Sequence, residues 1–265
     1  MVLEQFINYF LGDPDPKLRE WPMMSSGYPL IIITLGYLYF IYIAGPRYMK
    51  DRPPYKLRTF ILVYNIFQIL ANAWIVKEHI RGGWFTEYGF ILAWKPDIDS
   101  PNAQVLTNAF WWLILLKFFD YVETCTYVLR KKQKQISILH VYHHISVVII
   151  LWTTFRYYWD TRFTFLPLIN CSVHVLMYTY YLSAACGPKV QQIVAPFKRY
   201  MTEMQMVQLL FLLAYLLQVL HPSCDLPRGY RIVYALNGNV IIILFLFYNF
   251  YRESYVKKEI TKQKS

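Results

Sequence analysis

Five residues, His140-Val141-Tyr142-His143-His144, carry the densest chemistry in this chain, and they stand in a stretch apolar enough to cross a bilayer. An imidazole can hold a metal, move a proton or attack a carbonyl carbon. Three of them are costly to bury, and ionisable groups inside a membrane mark function more often than packing. On a helix, offsets of three and four residues bring all three rings within about 100° of one another. The cluster opens its apolar run instead of sitting at its centre, which predicts a site just inside one membrane face.

Three further groups of polar residues fall inside apolar runs. Lys117, Asp120 and Thr124 share a helical face, with Glu123 pointing about 120° away. A Lys117–Asp120 pair would lower the burial cost of both charges, but three charges and a hydroxyl in two turns read better as the wall of a water-containing cavity. Asn170, His174, Met177, Tyr178 and Tyr181 form a stripe about 80° wide. Tyrosines alone would be ordinary packing. His174, roughly 16 Å of helix from either end of its run, needs hydrogen-bond partners, and the other three histidines are candidates. Thr202, Gln205 and Gln208 are spaced three apart, suited either to bonds between helices or to a carbonyl-bearing ligand. His79 and His221 lie at the ends of apolar runs and receive no role.

These groups need membrane helices to position them. The chain has 265 residues, of which 56% are hydrophobic and 19% aromatic, far from the balance of a soluble domain. Seven spans are predicted, at about 28–45, 59–76, 107–128, 136–155, 163–185, 203–221 and 231–250. The fold class is therefore all-α, a polytopic membrane protein, read as one domain over 1–265. Residues 77–106 are the longest connection, broken by Gly82-Gly83, Pro96 and Pro101. Residues 1–27 mix acidic and basic side chains and do not read as a signal peptide. Within them, Phe6, Ile7, Phe10 and Leu11 predict a short interfacial helix.

The net charge of +11 would suit nucleic acid, but the basic residues cluster between the apolar runs. They read as topology signals and as partners for lipid headgroups or ligand phosphates. The loops after spans one, three and five, with the tail 251–265, hold 17 of the 27 Lys and Arg. This predicts a luminal segment 1–27 and a cytosolic tail. The histidine cluster is then cytosolic in its membrane half and follows Arg130-Lys131-Lys132-Gln133-Lys134. Of the four cysteines only Cys224 falls in a non-cytosolic loop, so no disulfide framework is expected. The sequon Asn170-Cys171-Ser172 lies within a span and is expected to be unmodified.

Two chemistries suit the cluster. His-x-x-His-His resembles the boxes of membrane di-iron desaturases and hydroxylases, but those have three such boxes, and this chain has six histidines in all. A mononuclear shell of His140, His143, His144 and Asp120 is the metal alternative. The other is nucleophilic: a neutral imidazole attacks a thioester and becomes an acyl-imidazole, itself an acyl donor that a water-poor site protects. A seven-span receptor or transporter shares the span count but gives no reason for clustered histidines.

Four blocks in order, Lys117 to Thr124, the box 140–144, His174 to Tyr181, and Thr202-x-x-Gln205-x-x-Gln208, resemble the ELO family of very-long-chain fatty acid elongases. Asp13-Pro14-Asp15-Pro16, Trp21 through Ser26, and Gly45-Pro46 extend the likeness along nearly the whole chain. The resemblance implies seven transmembrane helices enclosing an acyl cavity in the endoplasmic reticulum membrane. It implies an acyltransferase, a 3-oxoacyl-CoA synthase that joins long-chain acyl-CoA to malonyl-CoA with release of CO2 and CoA, with no cofactor or metal. His143 would carry the acyl group, with His140, His144 and His174 orienting it, moving protons and stabilising the enolate. Lys117, Asp120, Glu123, Asn170, Tyr178, Tyr181, Gln205 and Gln208 would line the site, and Arg130, Lys131 and Lys132 would meet the CoA phosphates. The implied partners are the reductases and dehydratase of the elongation cycle, membrane lipid, and a second copy of the chain. Relatives have Glu at the position of Asp120 and Asp at that of Glu123. Val141, where another branch has Trp, suggests the elongases of saturated and polyunsaturated acids.

Overall fold

The fold comes from a computed structural model that describes residues 2–90, 97, 99–221, 224 and 230–257. Its α-helices are α1 (Val2–Leu11), α2 (Pro16–Arg19), α3 (Tyr28–Tyr39), α4 (Gly45–Met49), α5 (Arg58–Arg81) and α6 (Pro101–Phe119), followed by α7 (Tyr121–Leu129), α8 (Ile138–Tyr157), α9 (Phe165–Ala185), α10 (Pro188–Val194), α11 (Phe197–Leu217) and α12 (Tyr230–Tyr251). A π-helical segment, Phe40–Ala44, joins α3 to α4. Among the described residues there is no β-strand. Seven helical stretches among the described residues are long and apolar enough to cross a membrane, at Tyr28–Met49, Arg58–Arg81, Pro101–Leu129, Ile138–Tyr157, Thr161–Ala185, Phe197–Leu217 and Tyr230–Val256. Each matches one predicted span. The helix expected around Phe6 to Leu11 is α1.

The seventh stretch runs six residues past its predicted end, to Val256, into the segment expected as tail, and the boundaries differ further along the chain. Lys77–Arg81 continue α5 and Pro101–Leu106 open α6, so the connection expected over 77–106 shrinks to 82–100. Gly83, at φ +106, ends α5 where a side chain would be strained. Ser100 opens α6, its hydroxyl accepting from the Ala103 N–H at 3.1 Å, with Pro101 at the first helical position. The sixth span starts earlier, at Phe197, and takes in Lys198 and Arg199. The third breaks at Asp120, between α6 and α7. Pro96 and the lysine-rich end, 258–265, lie outside the described residues.

Burial is inverted relative to a soluble protein. Ile32, Leu70 and Phe245 are more than 60% exposed, whereas Gln68, Asn72 and Thr124 are wholly buried. Lipid is as good a solvent for Leu as a protein core, so apolar side chains face out and polar groups turn inward.

The chain forms two compact units, residues 1–56 with 110–161, and 57–109 with 162–265. In the first, the N-terminal segment is tied to the far end of α8. Arg156, fully buried, pairs with Glu4 and donates to the Met24 carbonyl at 2.6 Å. The Trp152 indole donates to the Met23 carbonyl at 3.0 Å, and Tyr157 donates to Asn8 at 3.0 Å. Phe110 stacks on Phe155 with ring centroids 5.8 Å apart. On the other side of this unit α4 packs against α7. There Gly45 is required, since a Cβ would lie 2.6 Å from Val128 Cγ1 and 2.8 Å from the Phe40 carbonyl.

In the second unit α5 packs along α9, and α11 packs on α9 and α12. Trp84 donates to Thr164 at 2.7 Å, Phe165 lies 4.4 Å from the Tyr215 ring, and Tyr215 donates to the Arg162 carbonyl at 2.9 Å. Arg58 closes the opposite end of the α5–α9 pair on the Cys186 carbonyl at 2.6 Å. Cys125, Cys171, Cys186 and Cys224 are free thiols, and Asn170 lies within α9.

Candidate active site

The histidine cluster begins at a helix cap. Ser137 has extended backbone and its hydroxyl accepts the His140 N–H at 3.2 Å, which starts α8 and puts His140 in its first turn. From there helical spacing does the rest: the His140 and His144 rings are 4.3 Å apart and those of His143 and His144 5.7 Å apart. The His144 ring thus touches both other imidazoles of the cluster. His143 Nδ1 is buried with no hydrogen-bond partner among the described residues. An orphan buried polar atom costs about 1–3 kcal/mol, and His79 Nε2 and Gln208 Oε1 are orphaned in the same way.

Helix α7 flanks the cluster. Thr124 Oγ1 lies 2.8 Å from His140 Nε2, and the Tyr127 ring lies 5.5 Å from the His140 ring. Tyr127 Oη donates to Glu123 Oε1 at 2.5 Å. Lys117 Nζ donates to Asp120 Oδ2 at 3.2 Å, both side chains almost fully buried. The two carboxylates therefore differ in partner: Asp120 holds an ammonium at the helix break, and Glu123 holds a phenol one turn on. The pair that the sequence offered as an alternative to a wet cavity does form. Among the described residues no three His, Cys, Asp or Glu side chains converge as a metal shell, so the set His140, His143, His144 and Asp120 is not assembled as one.

Two basic loops meet at the end of the first unit where α8 begins. The Tyr55 N–H donates to the Leu129 carbonyl at 3.1 Å and Lys131 Nζ to the Lys50 carbonyl at 3.3 Å. Lys131 and Lys132 are exposed and Arg130 is half-buried. Arg52 donates to Tyr48 Oη at 2.6 Å, and hydrogen bonding from Tyr48 and then Arg52 holds the Tyr55 phenol below its ordinary pKa.

The second unit holds the other predicted residues. His174 is buried on α9 with its ring 5.8 Å from that of Tyr178, which is also buried and lies 6.1 Å from the Tyr64 ring of α5. Tyr181, 6.0 Å from Tyr178, sits at the exposed edge of the stripe, and Asn170 is half-buried one turn before His174. Gln205 Nε2 donates to Met177 Sδ at 3.2 Å, which joins the glutamine row of α11 to the histidine helix. Gln208 is buried, and its Oε1 has no partner among the described residues.

The structure adds residues that the sequence did not single out. Tyr37 on α3 donates to Thr124 Oγ1 at 3.0 Å and stacks on Tyr121 at 4.1 Å, while Tyr121 Oη and Thr34 Oγ1 are 3.3 Å apart. Nothing in the first span marks Tyr37, since tyrosine is common there. On α5, Asn65, Gln68, Asn72 and His79 form a buried polar stripe; the spacing of three and four between the amides was a readable signal.

Comparison with known proteins bears on what this arrangement is for. Residues 22–263 match the family model described as ELO: GNS1/SUR4 family. Among curated relatives, very long chain fatty acid elongase 7 of Drosophila melanogaster is 35% identical over 246 residues, 92% of this chain and 74% of its own length. Very long chain fatty acid elongase 4 of Mus musculus is 33% identical over 248 residues, 94% of this chain and 78% of its own. Very long chain fatty acid elongase 7 of Rattus norvegicus is 32% identical over 254 residues, 96% and 90%. A family match spanning most of the sequence, and relatives similar along most of their own length, lead to one statement: this chain belongs to the ELO family.

Proposed function

We propose that the protein is the condensing enzyme of very-long-chain fatty acid elongation and that it works by a ping-pong route through an acyl group on His143. The observation that carries the reading is the contact cluster of three imidazoles with an unpartnered, buried nitrogen on His143.

A neutral ring nitrogen of His143 attacks the thioester carbon of an acyl-CoA. The C–S bond breaks, and the ring proton passes through a neighbouring imidazole to the departing thiolate. Malonyl-CoA then loses CO2, and its enolate carbon attacks the acyl-imidazole. The C–N bond breaks, a 3-oxoacyl-CoA two carbons longer leaves, and the ring takes up the one proton that the overall reaction consumes. His140, His144 and His174 orient the acyl group, relay protons and stabilise the enolate oxygen. Lys117, Asp120, Glu123, Asn170, Tyr178, Tyr181, Gln205 and Gln208 line the site. The adjoining basic loops, with Arg130, Lys131 and Lys132, take the CoA phosphates. No metal or prosthetic group enters this scheme.

The basic asymmetry of the loops supports a luminal N-terminus and cytosolic C-terminus in the endoplasmic reticulum membrane. There the product would pass to the reductases and dehydratase of the cycle, and a second copy of the chain is a further partner. The test is incubation of purified protein with acyl-CoA alone, followed by peptide mass spectrometry. One CoA released per chain and acyl mass on His143 are expected; condensing activity without an adduct overturns the covalent route. Radiolabelled malonyl-CoA offered with acyl-CoAs of graded length then defines the substrate, and metal analysis of the active protein checks that none is needed.

A further inference from the structure

We infer that Tyr37 and Thr124 are positioning residues that hold His140 as its Nδ1–H tautomer, so that His140 serves as a hydrogen-bond donor and not as the base of the cluster. The donor role rests on the condensing reading above; the tautomer does not.

The inference follows from counting hydrogens. Thr124 is fully buried and has one hydroxyl hydrogen. Its hydrogen-bond neighbours among the described residues are Tyr37 Oη at 3.0 Å and His140 Nε2 at 2.8 Å. Tyr37 is itself buried, and Thr124 Oγ1 is the acceptor for its phenolic hydrogen. With that hydrogen spent on Thr124, the threonine's own has His140 Nε2 to go to. The reverse order would leave the phenolic hydrogen without an acceptor in a dry interior, at a cost of about 1–3 kcal/mol. The common alternative for a helical threonine is to donate to the carbonyl four residues back, as Thr107 and Thr179 do at 2.8 and 2.7 Å. Thr124 makes no such bond among the described residues. Its hydroxyl is turned across to α8 instead.

Nε2 of His140 is then an acceptor, and a neutral ring must bear its hydrogen on Nδ1. The relay is stiff at each point. Tyr37 is clamped by its stack on Tyr121, Thr124 is fixed within α7, and the His140 backbone is held by the Ser137 cap. A ring fixed in this way presents one hydrogen, on the nitrogen not engaged by Thr124. That hydrogen suits an oxygen gaining negative charge, whether the tetrahedral adduct or the enolate. Proton traffic then falls to His144, whose ring lies against both other members of the cluster.

The experiment is 15N NMR of the full-length protein, histidine-labelled in detergent micelles without substrate. The His140 signals are identified by their loss in His140→Gln, and the two ring-nitrogen shifts report the tautomer. Wild type is expected as Nδ1–H. Thr124→Val, which keeps shape but removes the hydroxyl, is expected to give a mixture of tautomers. Its kcat should fall about tenfold to a hundredfold with KM for acyl-CoA little changed. Thr124→Ser should restore both. Tyr37→Phe, which keeps the stack, lets Thr124 accept as well as donate, so it should admit some Nε2–H tautomer and lower kcat less than Thr124→Val does; an unaltered tautomer would remove Tyr37 from the relay. An Nε2–H tautomer in wild type, or Thr124→Val with unaltered tautomer and kcat, would overturn the relay. Wild-type protein that makes no 3-oxoacyl product would overturn the condensing reading and the donor role, while the NMR result would still decide the tautomer.

Discussion

The polar groups beside the histidine cluster and many of those in the second unit differ in how they satisfy themselves. Around α7 and α8 the bonds run from side chain to side chain and from helix to helix: Tyr37 to Thr124 to His140, and Thr34 to Tyr121, with Tyr127–Glu123 and Lys117–Asp120 alongside. In the second unit Asn65, Asn72, Ser172, Thr179 and Thr202 each bond to the carbonyl four residues back on their own helix. A back-bonded side chain is content wherever its helix goes. A cross-helix pair is satisfied only when two helices stand at one depth and rotation. The first region is thus built to fix relative position, which chemistry requires; in the second, many polar groups only avoid being orphaned.

That contrast can be broken most severely at His143. His143→Ala should lower condensation at least about a thousandfold, as loss of a nucleophile does, measured as radiolabel from malonyl-CoA in 3-oxoacyl product. Intact activity would remove the first region's claim to the chemistry. Next comes the buried pair. Asp120→Asn leaves the Lys117 ammonium without its carboxylate and should cost about 3–5 kcal/mol, read as a fall in thermal unfolding midpoint in detergent. Lys117→Met with Asp120→Asn should recover much of that stability but not activity.

Gly45→Ala comes third. Its methyl group must displace Val128 or the Phe40 carbonyl, so about 1–3 kcal/mol of overpacking is expected, together with lower kcat as α3 is pushed from α7. The smallest effect is predicted in the other region. Asn72→Leu removes an amide that bonds within its own helix and leaves its oxygen unpaired. The change should fall within about 1 kcal/mol of neutral and could stabilise. A loss as large as that of Asp120→Asn would show that both regions are built alike.

Much of this was legible in the residues. Seven apolar runs declared seven helices because a bilayer leaves the backbone few alternatives, and the imidazole contacts follow from helical spacing alone. The two carboxylates of α7 could not be separated by reading, since their partners depend on a helix break at Asp120 that no proline or glycine announces. Lys77, Glu78 and Arg81 end the apolar pattern of the second span, so the sequence alone predicts a loop from residue 77. The helix nevertheless continues through them, with Glu78 and Arg81 paired at 2.5 Å one turn apart. Tyr37 was invisible for a different reason. Its meaning lies in a residue 87 positions away, and only packing brings the two together.

The π-helical segment Phe40–Ala44 has a consequence for the phase of the first span. Tyr37 and Gly45 both meet α7, one at Thr124 and the other at Val128. Eight residues of regular α-helix would leave them about 80° out of line. The wider turn, with bonds closing from i to i+5, turns less per residue and takes up that angle. The segment behaves as one surplus residue absorbed into a helix, a gauge block that sets two contacts at different depths to a common azimuth. Straightening the segment into regular α-helix with its residue count unchanged would turn either the phenol or the glycine away from α7, so the hydroxyl that meets His140 depends on the winding of a helix that carries none of the histidines. Removing one residue between 40 and 44 as well would leave seven regular residues, about 700°, and bring the two back to within about 20° of one line.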